Sequence, residues 1–315
     1  MKQRGAALLT AMLTVTLVAT FAAAALWQQW RSVEIEAAER SRTQMQWVLN
    51  GALDWARLIL QEDMRNGDVD HLSEPWALPL QEARLSSFLA IDQDHADDAM
   101  QAFLSGQITD MQALLNVRNL VQGGKEYPPA VQAFTRLFAS LNLPRSQLQL
   151  LVDNLVASGN ATDKQANTPL QPYRMEQLVW LGLPRATVQA LGPYATLLPV
   201  STPVNLNTAG AEVIQAAVPN LAMAQAKQLV AQRATAHFKS VQEALKAAGK
   251  SDAEAAQADP NSLSVNTHYF AVRGRLRLGD TAVQEVSLVE RNSNSVKVIS
   301  RQREALAMPA TASLQ

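Results

Sequence analysis

The chain contains no cysteine among its 315 residues. This absence excludes disulfide bonds, thiolate zinc sites and cysteine nucleophiles together. The four histidines (His71, His95, His237 and His268) lie far apart, and no two of them have the spacing of metal ligands on one helix. The formal net charge of -1 gives no electrostatic reason to expect a nucleic-acid partner. The sequence also lacks a nucleophile elbow and a phosphate-binding loop, so nothing in it favours an enzyme.

The sequence does have a long apolar N-terminus. Lys2 and Arg4 precede a run from Ala6 to Trp27 that contains no charged side chain. As a helix, these 22 residues would span roughly 30 Å, which is about the hydrocarbon thickness of a bilayer. The two preceding cations predict a cytoplasmic N-terminus. Four threonines dilute the apolar run, but their hydroxyls can bond to the carbonyls four residues back, so the helix is retained.

Three interpretations of this apolar run are open. A secretory signal peptide would be cut near Ala23–Ala25, although the run is longer than the usual apolar region of about 7–15 residues. A plain single-pass anchor would keep the whole run. A prepilin-type leader would end at Gly5 and leave the apolar helix on the mature protein. Glycine suits such a cut because it lets a protease approach the backbone closely.

The helical pattern continues beyond the apolar run. From Gln28 to Met64 there is no proline and one glycine, Gly51, and apolar residues recur at close to the helical period. The result would be one helix of roughly 55–60 residues, about 85 Å long, which needs a packing partner along its length. A helix with its first half in lipid and an amphipathic second half resembles the spine of type IV pilins and pseudopilins.

The middle of the chain has the pattern of short helices and tight turns. Leu141–Arg145 and Leu181–Arg185 share the order Leu-x-Leu-Pro-Arg, forty residues apart. In both, the proline (Pro144 or Pro184) is predicted at the first position of a helix, where its missing N–H costs nothing. The repeat predicts helical hairpins.

A third hairpin follows. It comprises Asn205–Ala209, a helix, the turn Pro219–Leu221 and a second helix. Thr208 is predicted to cap the first of these helices. Ser240 and Glu243, three residues apart, predict a capping box for the next one. We interpret the region as a helix-hairpin-helix array, a SAM-like helical module.

Helix-hairpin-helix modules often bind DNA, through backbone N–H groups that glycines expose to a phosphate. Here Asn220 and Ala222 occupy the glycine positions, and few cations flank the turn. We therefore expect a protein-contact scaffold. A membrane-anchored helix-hairpin-helix protein that binds DNA is the alternative function.

Two further segments have recognisable patterns. An acidic run from Asp92 to Asp98 lacks the glycine and terminal glutamate of an EF-hand loop, so a solvated surface is expected there. Near the C-terminus, period-two alternation predicts an antiparallel meander of three strands. The strands are predicted over Thr267–Leu278, Thr281–Arg291 and Ser295–Arg303. Arg273, Arg275 and Arg277 are predicted on its solvated face.

This order of segments resembles the minor pseudopilin K family of type II secretion (general secretion pathway protein K) over essentially the whole chain. The stretches that carry the resemblance are Arg4–Leu9, Ile108–Asn116, Leu197–Pro199, Val204–Ala209 and Phe270–Val289. The segment Asn205-x-Asn207-Thr208-Ala209 is the most specific of them, although soluble helix-hairpin-helix proteins share it.

The resemblance implies an α+β, pilin-like fold with a long N-terminal spine helix, a large inserted all-α SAM-like or helix-hairpin-helix domain, and a C-terminal three-strand antiparallel meander. The implied segments are a leader (1–5), the transmembrane (6–27) and periplasmic (28–64) halves of the spine, a connection (65–105), the inserted helical domain (106–264), the strands (265–303) and a disordered tail (304–315).

The implied function is that of a minor pseudopilin, which caps the tip of the periplasmic pseudopilus and helps to initiate its assembly for export of folded proteins across the outer membrane. The family implies cleavage after Gly5 by a prepilin peptidase and N-methylation of Ala6. Most pilins carry glutamate at the fifth mature position, where it pairs with the amino terminus of the subunit above. That position is Thr10 here, as is typical of the K family, and it suits a tip subunit.

The expected partners are the minor pseudopilins of the I and J classes, the prepilin peptidase and the inner-membrane secretion platform, with no nucleic acid. The expected location is the inner membrane, crossed once, with the N-terminus cytoplasmic and the bulk periplasmic. No cofactor is expected. Some family members bind calcium, but the corresponding segment here is Asp153–Val156, followed by the neutral Gln165, Asn167 and Thr168. Asp153 and Glu176 alone do not supply the about 6–8 oxygens that calcium needs.

Overall fold

The structure is a computed structural model, and it describes residues 4–85, 102–159, 169–278 and 281–304. The chain divides into two units, Met1–Ala52 and Leu53–Gln315. The boundary between them falls inside the first helix. The predicted acidic run and the tail beyond Glu304 lie outside the described residues.

Helix α1 runs from Arg4 to Asn66 and contains 63 residues. The single long N-terminal helix is therefore confirmed. Every side chain from Ala6 to Arg40 is exposed. The helix ends where the sequence reads Asn66-Gly67, as expected from the weak helix propensity of both residues.

Seven shorter α-helices lie in the described ranges. They are α2 (Pro128–Ser140), α3 (Arg145–Gly159), α4 (Arg185–Leu191), α5 (Ala211–Ala217), α6 (Met223–Thr235), α7 (Val241–Ala247) and α8 (Asp252–Ala256). Four 3-10 segments accompany them, at Pro75–Ala77, Met111–Ala113, Val117–Leu120 and Met175–Leu181. With the strands below, they confirm the α+β class.

The main sheet has five antiparallel strands in the order β1-β2-β9-β10-β11. These strands are β1 (Leu80–Arg84), β2 (Ala102–Asp110), β9 (Tyr269–Leu278), β10 (Thr281–Asn292) and β11 (Ser295–Glu304). The last three form the predicted meander. The other two extend the sheet beyond the three strands that the sequence indicated, and β2 pairs with β9 from Ala102↔Leu278 to Asp110↔Phe270.

The described residues also form three two-stranded sheets. They are β3 (Leu115–Asn116) with β6 (Ala195–Thr196), β4 (Val121–Gln122) with β5 (Lys125–Glu126), and β7 (Val204–Asn205) with β8 (Leu263–Ser264). The pair β7–β8 places the Asn205 segment beside the chain that leads into β9.

The second unit contains two apolar cores. In one, Leu53, Ala56 and Leu60 of α1 belong to the same cluster as buried side chains of the sheet and of the loop after the helix. Those partners are Trp76, Ile108, Phe270, Val272, Val289 and Val296. The other core is formed within the helical region and includes Phe134, Leu151, Leu178, Ile214 and Leu245. The amphipathic end of α1 is thus the sheet's packing partner.

The two Leu-x-Leu-Pro-Arg turns share one backbone feature. Asn142 and Gly182, at the second position of each repeat, have φ values of +54° and +88°. The predicted helix starts are wrong by one residue, because α3 and α4 begin after the prolines, and Pro184 is the N-cap. The repeats also pack on each other, since Thr187 Oγ1 donates to Gln147 Oε1 at 2.7 Å.

The predicted capping box at α7 forms only in part. Ser240 is the N-cap, and its hydroxyl accepts from the N–H of Glu243 at 3.2 Å. The Glu243 carboxylate accepts from the N–H of Lys239 at 2.7 Å, one residue earlier than a box requires. A complete box occurs instead at Ser251 and Glu254, at the start of α8.

Candidate functional site: the N-terminal helix and a buried polar junction

The structure places the predicted cleavage and assembly residues in the first turns of α1. The helix begins at Arg4, so the Gly5–Ala6 peptide is already helical. Thr10 Oγ1 donates to the carbonyls of Ala6, at 3.1 Å, and Ala7, at 3.0 Å. The other threonines bond in the same way, Thr14 to Ala11, Thr16 to Leu13 and Thr20 to Leu17. Each hydroxyl therefore has a partner within its own helix. Only Thr10 reaches the predicted carbonyl four residues back, and the other three bond to the carbonyl three residues back.

The same helix carries a fully exposed apolar surface. By length and composition it is long and apolar enough to cross a membrane, and its most apolar window has no buried part. Trp27 and Trp30 follow that stretch with their ring centroids 5.6 Å apart, and more than half of each side chain is exposed. Indole rings prefer the interface between lipid and water.

A second feature is a buried polar junction between the sheet and the helical region. At its centre is Asp110, the last residue of β2. One carboxylate oxygen accepts from Thr208 Oγ1 at 2.5 Å, Thr267 Oγ1 at 2.7 Å and Asn205 Nδ2 at 3.1 Å. The other oxygen accepts from the N–H of Gln112 at 2.6 Å. Because burial outweighs these hydrogen bonds, the pKa of Asp110 rises from 3.8 to about 6.

The two asparagines of the Asn205–Ala209 segment have distinct roles here. Asn205 Nδ2 also donates to the Asp70 carbonyl at 3.2 Å. Asn207 bonds to Phe238 in both directions at 2.9 Å, as a paired strand would. This segment therefore joins the loop after α1 and the linker after α6.

The prediction that Thr208 caps a helix is wrong. The N-cap of α5 is Gly210, which makes no side-chain cap. The hydroxyl of Thr208 donates to Asp110 instead. A buried carboxylate needs donors more than an exposed helix start needs a cap, because an unsatisfied buried acceptor costs more than a lost surface cap.

Arg291 forms a second part of the junction, next to Asp70. Its side chain is 2 % exposed and donates to Asp63 at 2.6 Å and to Asp70 at 2.5 Å. It also donates to the Thr267 carbonyl at 2.8 Å and lies 4.8 Å above the Phe270 ring. Burial raises the pKa of both carboxyls, and the nearby guanidinium opposes that rise. Arg291 thereby ties α1, the loop after it and β10 together.

The two residues considered for calcium, Asp153 and Glu176, are not among the described carboxylates that lie close enough together to share an ion. Asp153 accepts from Gln149 Nε2 on the exposed side of α3, and Glu176 is exposed. Among the described residues, the carboxylates close enough to share an ion belong to Asp63, Asp70 and Glu74. The first two already bind Arg291. Gln165, Asn167 and Thr168 lie outside the described residues.

The hairpin turn considered for DNA has its polar groups engaged. The N–H of Ala222 donates to Gln225 Oε1 at 2.9 Å, and the carbonyl of Asn220 accepts from Lys250 Nζ at 3.1 Å. A phosphate would have to displace Gln225 to reach that amide. Asn220 does adopt a positive φ, +51°, as the glycine of such a turn would.

The buried Asp110 predicts a pH dependence of stability. Its folded pKa lies above the unfolded value, so folding binds a proton between about pH 4 and pH 6, and this group's stabilisation is lost as the pH rises through that range. The effect is of order 3 kcal/mol. We expect Asp110→Asn to remove this slope, as measured by urea unfolding of both chains at pH 4.5 and pH 7. An equal change in the free energy of unfolding between pH 4.5 and pH 7 in the two chains would contradict the assignment.

Comparisons with known proteins agree with this architecture. Two family models, both described as type II secretion system (T2SS) protein K, match residues 113–200 and 204–266. The type II secretion system protein K of Pseudomonas aeruginosa is 27 % identical, with 98 % of this chain and 96 % of the relative covered. That of Klebsiella pneumoniae is 28 % identical, with coverages of 95 % and 96 %.

A solved structure is also similar. It is described as the GspK-GspI-GspJ complex from the type 2 secretion system of enterotoxigenic Escherichia coli. The TM-score is 0.66 at 20 % identity, and the match covers 85 % of this chain and 99 % of that one. At this identity the likeness supports the fold.

An apolar N-terminal helix that continues into the packing partner of an antiparallel sheet, with a helical region inserted, defines a minor pseudopilin. The relatives match almost end to end, and both family models lie in the inserted region and the Asn205 segment. The chain is similar to type II secretion system protein K over nearly its whole length. This likeness supports the role of a minor pseudopilin, and the DNA-binding alternative has no support.

Proposed function

We propose that the chain caps the tip of the periplasmic pseudopilus and helps to initiate its assembly for export of folded proteins across the outer membrane. The observation that carries this proposal is helix α1. It has a fully exposed apolar stretch for lipid, and then an end that packs on the sheet. Before assembly the helix anchors the chain in the inner membrane, crossed once, with the N-terminus cytoplasmic and the bulk periplasmic. During assembly the same apolar surface packs against other spines.

Processing after Gly5 belongs to this proposal. A prepilin peptidase would remove residues 1–5 and leave Ala6 as the N-methylated terminus. The mature chain would then begin with the helical turn that already contains Ala6, Ala7 and Thr10. Loss of the basic leader also frees the apolar helix to leave the membrane, because Lys2 and Arg4 no longer hold it at the cytoplasmic face.

Thr10 supports the tip position. In pilins generally, a glutamate at the fifth mature position pairs with the amino terminus of the subunit above. Thr10 has no charge, and its hydroxyl is satisfied by two carbonyls of its own helix. A spine of this kind needs no neighbour above it, and it places no unpaired carboxylate in lipid.

The inserted helical region supports the same position. It is large, has a core of its own, and is fastened to the sheet by the buried hydrogen bonds that Asn205 and Thr208 donate to Asp110. A bulky domain held rigidly on the pilin body would obstruct a further subunit. We propose the I- and J-class minor pseudopilins as neighbours, and the inner-membrane platform as the site where they assemble.

The absence of cysteine gives a clean test. Gln228 is exposed on α6, so Gln228→Cys can be labelled with maleimide-biotin and gold in assembled pseudopili. We expect a label at one end of each filament, seen by electron microscopy, and no label on a filament made with the cysteine-free chain. Labels along the filament length would contradict a tip position.

No cofactor enters this proposal. Calcium binding does not suit the residues at Asp153 and Glu176, which are an exposed side chain on α3 and an exposed residue of a separate 3-10 segment. An assembly role requires a helix surface that other subunits can contact and a rigid body, and the chain has both without a bound cofactor.

A further inference from the structure

Two histidines far apart in the sequence meet at the edge of the junction. His71 lies in the loop between α1 and the 3-10 turn at Pro75–Ala77, and His237 lies in the linker between α6 and α7. Their imidazole rings are stacked, with centroids 3.8 Å apart and planes within 11°. Both residues are half-buried. The stack is a direct contact between the segment that follows the spine helix and the helical region.

His71 and the residue after His237 are each held by hydrogen bonds. The carboxylate of Glu74 accepts from the N–H of His71 and from Trp76 Nε1, both at 2.8 Å, and its other oxygen lies 3.9 Å from His71 Nε2. On the opposite side, Phe238 is held by Asn207 in both directions. Trp76 in turn packs edge-on against Phe270 in the sheet core, with centroids 5.1 Å apart. A change at the stack therefore reaches both the sheet and the Asn205 segment.

The neutral form suits this arrangement. The N–H of Ser73 donates to His71 Nδ1 at 3.3 Å, so Nδ1 carries a lone pair and the proton is on Nε2, the nitrogen that faces Glu74. Two neutral aromatic rings in this geometry attract each other. Two imidazolium ions at the same separation repel each other.

We propose that the His71–His237 stack is a pH-sensitive latch, which fastens the helical region to the segment after the spine helix at neutral pH and releases it when both rings are protonated. The latch goes beyond tip capping, because it makes the attachment of the helical region respond to the acidity of the compartment. Since that compartment would be the periplasm, this compartmental role rests on the proposed function, whereas the release itself does not.

Charged groups surround the stack. His71 faces Glu74 and His237. His237 faces His71, Glu74, Lys239 and Glu243. Burial, His71 and Lys239 lower the pKa of His237, against the opposing effect of the two glutamates. A base whose folded pKa is lowered contributes stability above its usual range near pH 6.5 and loses it as the pH falls.

The test uses the full chain in detergent micelles and follows amide hydrogen exchange by mass spectrometry at pH 7.5 and pH 5. Rates are divided by the intrinsic rate of each amide at that pH. We expect peptides covering His71–Glu74 and His237–Phe238 to lose protection at pH 5. Peptides from the core of α2 should not change.

The matched variant is His71→Phe, which keeps a ring to stack on His237 and removes one of the two charges. We expect its loss of protection at pH 5 to be smaller than that of the wild-type chain, because the repulsion from His71 is gone while the burial of His237 remains. In a titration of ¹³C-labelled histidine by NMR, the pKa of His237 should rise in this variant. If His71→Phe is poorly folded, His237→Phe supplies the same comparison from the other side.

Two results would overturn the latch. One is unchanged protection of both peptides in the wild-type chain at pH 5. The other is an equal loss of protection in wild type and His71→Phe, which would assign the acid effect to other groups. Neither result depends on where the chain sits in a filament, so failure of the latch is distinguishable from failure of tip capping.

Discussion

Arg291→Met is expected to lower the free energy of unfolding by about 3–5 kcal/mol, because it leaves Asp63 and Asp70 buried without their cation. Methionine has a similar length and keeps the contact with Phe270, so the loss reports the charge and not a cavity. The Thr267 carbonyl also loses a donor. Urea unfolding of the full chain in micelles, followed by tryptophan fluorescence, measures the change.

Arg275→Met on the neighbouring strand is the control. Arg275 is exposed, and its replacement should change the free energy of unfolding by no more than about 0.5 kcal/mol. A loss below about 1 kcal/mol for Arg291→Met would show that the buried ion pairs do not hold the junction. The decrease in the free energy of unfolding should also be smaller at low pH, since protonation of Asp63 and Asp70 removes the unpaired charges.

Gly5→Ala is expected to leave the leader on the chain and to abolish incorporation into pseudopili. The added methyl group lies at the bond that a prepilin peptidase must approach, and the retained Lys2 and Arg4 keep the helix in the membrane. Intact-mass spectrometry of the membrane fraction should give a species heavier than wild type by the five leader residues. Secretion by cells carrying this variant alone should fall to the level of cells that lack the chain.

Gly51→Ala is the control for this substitution. A methyl group at Gly51 meets no atom within 4 Å, and alanine in a helix interior is favoured over glycine by up to about 1 kcal/mol. This variant should be processed and should support secretion as wild type does. A Gly5→Ala chain with the mass of the processed form would contradict a cut after Gly5.

The sequence predicted the parts of the fold that local patterns determine. Helix α1 follows from an unbroken helical period and the absence of proline, and it ends at Asn66 as expected. The C-terminal strands follow from alternation over segments long enough to count. Strands β1 and β2 were not predicted. β1 has only five residues, and β2 crosses the predicted boundary at 105 between the connection and the helical domain.

The junction could not be predicted in the same way. Thr267 and Asp110 are 157 residues apart in sequence, and Arg291 and Asp63 are 228 apart. Alternation alone does not distinguish a buried arginine with partners from a solvated one. The resemblance did single out Asn205–Ala209, but local rules assigned Thr208 to a helix cap, and only the fold reveals the buried carboxylate that it contacts.

The stacked histidines illustrate the same limit. Neither His71 nor His237 has a metal-ligand spacing or a catalytic neighbour in the sequence. Their contact exists because the Asn205 segment draws the linker after α6 towards the loop after α1. Such contacts depend on long-range topology, which the periodicity of a single segment does not contain.

We propose that the apolar N-terminal helix is an assembly spine produced by processing and not a permanent anchor. Mass spectrometry of the N-terminal peptide from wild-type chain, purified from cells that contain the secretion system, tests this directly. We expect a peptide that begins at Ala6 and carries one methyl group on its amino nitrogen. A wild-type peptide that begins at Met1 would contradict it.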